Sequence, residues 1–116
     1  MKSPREYLAD FNNGMASIAA TNPEQLSAFG NFADTVFKDG AIDLKKKELV
    51  AIGISVYSRC EYCIAIHAYN ALKAGLTKEE IMEAAMVAIA FGGGPSLGYA
   101  ITLLKDSLEE FAKDFE

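Results

Sequence analysis

Residues 43–81 are DLKKKELVAIGISVYSRCEYCIAIHAYNALKAGLTKEEI, the stretch richest in signals of secondary structure. Apolar residues run almost without a break from Leu49 to Tyr57. The period-two alternation of a half-buried strand is missing, so the run predicts a helix buried on most sides. Asp43 stands where an N-cap would, and Lys45, Lys46, Lys47 and Glu48 form the polar first turn behind it. The three lysines read as a solvated helix face. Ser58-Arg59-Cys60-Glu61 has the form of a capping box, which predicts a second helix with Cys60 at its second position, running to Lys73-Ala74-Gly75. Thr77-Lys78-Glu79-Glu80 starts another helix, apolar through Phe91.

Outward from this centre the same signals recur. Ser3-Pro4-Arg5-Glu6 predicts a capped helix carrying Tyr7, Leu8, Phe11, Met15 and Ile18. Asn22-Pro23-Glu24-Gln25 repeats that start ahead of Leu26, Phe29, Ala33, Val36 and Phe37, with Gly40 suited to a left-handed helix end. After Gly92-Gly93-Gly94-Pro95, read as a tight turn between helices, a last helix carries Leu97, Ile101, Leu104, Leu108, Phe111 and Phe115 as a core-facing stripe. The expectation is an all-α chain, one domain over residues 1–116, of about six short antiparallel helices.

Cys60 and Cys63 are the only cysteines and His67 the only histidine. At spacings of three and four on one helix, they line a single ridge. Alpha carbons three apart in a helix are roughly 5 Å from one another, within disulfide range. The unpaired N–H groups of a helix start favour thiolate over thiol. Glu48 joins them only if the chain reverses near Ser58. In a continuous helix twelve residues would hold it roughly 18 Å from Cys60. In an antiparallel pair it comes within reach of His67, where a buried carboxylate would orient the imidazole and support its charged form. Imidazole would then accept the proton of the nearer thiol, Cys63. Tyr57, Tyr62 and Tyr69 surround the motif and read as packing residues.

Composition narrows the functions. A net charge of −5 leaves no basic stripe for nucleic acid or for an anionic membrane surface. The polar N-terminus and the short apolar runs suggest the cytoplasm, where a close cysteine pair is catalytic or metal-binding more often than structural. The sparse polar surface of 44–57 and 77–91 suggests a homo-oligomer.

Glu48, eleven residues, Cys60-Glu61-Tyr62-Cys63, three residues, His67 resembles the signature of the alkylhydroperoxidase D-like group of the carboxymuconolactone decarboxylase superfamily. The flanks resemble it too: Lys47-Glu48-Leu49-Val50-Ala51 before, Ala74-Gly75-Leu76-Thr77 after, and the glycine break at 92–95. The resemblance implies an all-helical domain assembling into trimers or hexamers. It implies peroxidase or disulfide-reductase chemistry, with Cys60 and Cys63 cycling between thiols and disulfide and Glu48 and His67 handling protons. The substrate would be a small hydroperoxide, the redox partner a disulfide-bearing protein or dithiol carrier. No cofactor and no resident metal are expected. Alkylhydroperoxidase D is expected to carry a histidine before the second cysteine, where this chain has Tyr62, so the relay has one carrier fewer. Other readings stay open: a decarboxylase acting on a small lactone acid, a zinc site built from the same four residues, and a redox-sensing helical assembly without turnover.

Overall fold

Proline at a first helical position, capping side chains and uninterrupted apolar runs produce helices and nothing else in the computed structural model, which describes residues 1–116. They are α1 (Pro4–Ala19), α2 (Pro23–Val36), α3 (Leu44–Ser58), α4 (Glu61–Lys73) and α5 (Lys78–Gly92). The last rod is composite: α6 (Gly94–Tyr99), a π-helical turn (Ala100–Leu104), α7 (Lys105–Ala112) and a closing 3-10 turn (Lys113–Phe115). The Ser3/Glu6 and Thr77/Glu80 capping boxes form on both sides, and Asp43 accepts from the Lys46 N–H at 2.9 Å. Asn22 makes no capping bond, because its side chain takes the Thr21 hydroxyl instead at 2.8 Å.

The core lies where α4 meets α3, α7 and α1. Ile52 and Val56 of α3, Ile64 of α4, Ile81 of α5 and Leu104 and Phe111 of the last rod are fully buried there. Alanines at 65, 68, 71, 85 and 100 are buried between them and let the helices approach closely. Arg5 ties α1 to the last rod. Its guanidinium donates to Glu110 at 3.1 Å and to Asp114 at 2.8 Å while lying over the Phe111 ring.

Two features of these helices depart from expectation. Gly40 does not take up a left-handed conformation; α2 stops at Val36, with Phe37 as its cap. In the last rod, Leu104, Leu108 and Phe111 are buried as expected, but Leu97, Ile101 and Phe115 are exposed. Ala100, Leu103 and Ser107 occupy the buried stripe beside Leu104 and Leu108. The π turn at 100–104 adds backbone that rotates the stripe away from a strict four-three repeat.

α3 and α5 pack closely, yet their outer faces stay bare. Val50, Ile54, Tyr57, Val87 and Phe91 are all exposed, Phe91 at 80%. α2 buries no residue at all and presents Phe29 and Phe32 to solvent. No helix is long and apolar enough to cross a membrane.

Candidate active site

The site begins with the way α3 ends. Arg59 is left-handed at φ 55°, its N–H donating to Val56 O at 3.2 Å while the Cys60 N–H reaches back to Ser55 O at 3.1 Å. That pair of bonds is a Schellman turn, usually built on glycine. The chain reverses within two residues and α4 starts at Glu61.

Cys60 is therefore the N-cap of α4, where the sequence placed Ser58. Ser58 instead closes α3 and donates its hydroxyl to Ser55 O at 3.3 Å. The Cys60 sulfur performs the capping, accepting the Cys63 N–H at 3.2 Å. The two sulfurs are at disulfide-bonding distance, with alpha carbons 5.2 Å apart. Both residues are half-buried.

One turn further along α4, His67 meets Glu48 across the antiparallel pair. Nδ1 lies 2.9 Å from Glu48 Oε1, and Glu48 is only 4% exposed. A carboxylate can only accept, so the Nδ1–H donates and Nε2 is left free. The reversal that brings Glu48 to His67 is thus the one the sequence reading required.

Beside this pair lies a cleft of about 530 Å³ lined by Val36, Phe37, Ile42, Lys47, Val50, Ala51, Ile54, Ser55, Ser58, Cys63 and His67. Cys63 and His67 share it, whereas Cys60 is not among its lining residues. Its walls are largely aliphatic. Val50, Ile54 and Ser58 also border a second cleft of about 560 Å³ between α3 and α5, so the site opens onto the bare apolar face.

On the far side of the cysteines, Tyr99 donates its hydroxyl to Glu61 at 3.0 Å, and that bond holds the phenol above its ordinary pKa. Tyr62 packs edge-on against Tyr7, and Tyr69 against Phe111 and Phe115, in keeping with packing roles. Tyr57 is exposed on the α3–α5 face. Gly93, at φ +67°, links α5 directly to α6, and a Cβ on Gly92 would strike the Ser96 side chain. No three His, Cys, Asp or Glu side chains gather as metal ligands.

Two neighbours of the site escaped the sequence reading. Phe37 stacks on the His67 ring, centroids 5.6 Å apart and planes 21° from parallel. Lys47 is no free surface lysine: its ammonium donates to Val36 O at 2.7 Å and to Lys38 O. The lysine run disguised the one, and the helical spacing of α2 absorbed the other into an expected core stripe.

Helical fold, cysteine pair and carboxylate–imidazole pair together define a class, and the sequence comparison gives it a name. The carboxymuconolactone decarboxylase family profile matches residues 23–106, and the chain belongs to that family. The alkylhydroperoxidase D-like pattern is consistent with it. A carboxymuconolactone decarboxylase family protein from Legionella pneumophila has the same fold, with a TM-score of 0.88 and 36% identity over 94% of this chain and 96% of that one. A Thermotoga maritima member, for which a part in the antioxidative response has been suggested, gives a TM-score of 0.75 at 28% identity, covering 96% of each chain. Among curated sequences, an uncharacterised protein encoded in the cox locus of Paracoccus denitrificans is 37% identical over 98 residues, 80% of this chain and 88% of its own.

Proposed function

We propose that the chain is a dithiol oxidoreductase that reduces organic hydroperoxides or the disulfide of a redox partner. One thiolate attacks a peroxide oxygen, leaving a sulfenic acid and an alcohol. The second displaces hydroxide from that sulfur, giving the Cys60–Cys63 disulfide and water. The two thiol protons end on the alcohol and the water, and a dithiol partner restores the pair by exchange through a mixed disulfide. Cys60, next to the exposed turn at Arg59, is the sulfur that meets the partner. Cys63 passes its proton to His67 Nε2, and Glu48 holds the imidazole by Nδ1 and supports its positive charge.

The observation that carries this reading is the 2.9 Å contact between the buried Glu48 and His67, one turn from a cysteine pair at the mouth of a helix. Negative charge on the Cys60 sulfur is supported there by the Cys63 N–H and the helix dipole. The aliphatic cleft suits an alkyl substituent on the substrate better than a highly charged one. The antioxidative role suggested for the Thermotoga relative agrees with this chemistry.

A homo-oligomer is part of the same proposal. The exposed Phe29 and Phe32 of α2 and the bare groove of α3 and α5 are apolar surfaces whose exposure water does not favour.

Peroxide and disulfide reduction by wild type, Cys60→Ser and Cys63→Ser tests the proposal. Turnover confined to wild type is expected, and equal turnover in all three removes it. Decarboxylation of a small lactone acid that survives replacement of both cysteines would assign the family's other chemistry instead.

A further inference from the structure

We infer that Phe37, held in place by Lys47, is a positioning residue for His67. The inference rests on the dithiol reading above and deepens it.

Phe37 follows the last residue of α2, a helix with no buried side chain to anchor it. Something else must fix this end, and Lys47 does so. Its ammonium binds the carbonyls of Val36 and Lys38, on either side of Phe37. The Val36 carbonyl is an orphan acceptor at the C-terminus of α2, where the dipole favours a cation, and the Lys38 carbonyl lies just beyond that end. A second tie comes from Asp39, which accepts the Leu44 N–H at 2.7 Å and closes the connecting turn onto α3.

The consequence falls on the histidine. Successive residues of α3 act on one imidazole from different directions. Glu48 takes the Nδ1–H in the plane of the ring, and Lys47 holds the loop that lays Phe37 over its face. A hydrogen bond at one nitrogen leaves the ring free to swing about that contact. A stacked aromatic plane restricts that freedom, so the imidazole keeps its place in the wall of the cleft it shares with Cys63. The face of a phenyl ring also attracts a cation, so the stack favours the imidazolium formed in proton transfer. Proton transfer tolerates little misplacement, and an error of about 1 Å can cost roughly 100-fold in rate.

The test uses the chain's only histidine, whose imidazole carbon-bound protons give unambiguous NMR signals. Stacking beneath Phe37 shifts them upfield. In Phe37→Leu the upfield shift should vanish and kcat for peroxide reduction should fall about 10-fold with KM unchanged. Phe37→Tyr, which keeps the ring, should restore both. Lys47→Gln leaves Phe37 in the chain but releases its loop, and should move the His67 signals in the same direction. Unmoved His67 signals in Phe37→Leu overturn the inference. So does a rise in KM with kcat preserved, which would make Phe37 a mere wall of the cleft. Should wild type reduce neither peroxide nor disulfide, the dithiol reading fails, and the NMR shifts of the two variants still decide whether Phe37 and Lys47 hold the ring.

Discussion

The hairpin of α3 and α4 and the helix α2 are built from similarly apolar sequence, and they live in different surroundings. α4 sends Ile64, Ala65, Ala68 and Ala71 into a core shared with three other helices. α2 has Leu26, Phe29, Phe32 and Val36 at helical spacing and buries none of them. The hairpin carries every residue of the proposed relay. α2 supplies one ring, Phe37, and depends on a lysine of α3 to keep it in place. Apolar spacing therefore reports that a face will be covered and leaves open which molecule covers it. In α4 the cover is the chain itself. For α2 it is, on our proposal, a second copy.

Substitutions can break that contrast, beginning with the largest effect. Cys63→Ser at the head of α4 should reduce peroxide turnover to background, measured by peroxide consumption with a dithiol donor. Ile64→Ala, one residue on, should cost about 2–5 kcal/mol in urea unfolding, since it leaves a cavity in a fully buried position. Glu48→Gln keeps the shape of the buried side chain but removes its charge. A fall in kcat of about 100-fold is expected, with the fold intact by circular dichroism. Phe29→Ala in α2 should change unfolding of the dilute chain by under about 0.5 kcal/mol. The same variant should weaken self-association in sedimentation experiments. If it destabilises the dilute chain as strongly as Ile64→Ala does, the contrast between the two regions is false.

The smallest effect concerns the clamp between α1 and the last rod. The Arg5 guanidinium holds the Asp114 carboxyl below its usual range, and Lys113 with Arg5 does the same for Glu110. Carboxylates with depressed values stabilise the fold above their unfolded range and lose that contribution as pH falls through the folded one. Arg5→Ala should therefore be slightly less stable than wild type at neutral pH. The gap should close below about pH 4, as followed by thermal melts across a pH series.

Much of this architecture was legible in the order of residues. Ser3 with Glu6, Asp43, and Thr77 with Glu80 fix helix starts by local hydrogen bonding, and local chemistry is what a sequence displays. The Glu48–His67 contact was legible as a requirement, because only a reversal near Ser58 makes the pair useful. The register of the reversal was not. Ser58 looks like a better cap than a cysteine, and nothing local announces that Arg59 will adopt a left-handed conformation. Tertiary packing of α3 on α4 decides that. The rotation of the last rod has the same origin, since a π turn carries no residue signature of its own. Lys47 and Phe37 were hidden because each takes its partner from a different helix.

The cap of α4 carries a thermodynamic consequence. Its acceptor is the Cys60 sulfur, one of the two atoms that would exchange electrons. A thiolate accepts an N–H more strongly than a thiol does, so ionisation of a reduced Cys60 would tighten the opening turn of α4. By reciprocity, any change that frays this turn would make that ionisation harder, even where it touches neither sulfur.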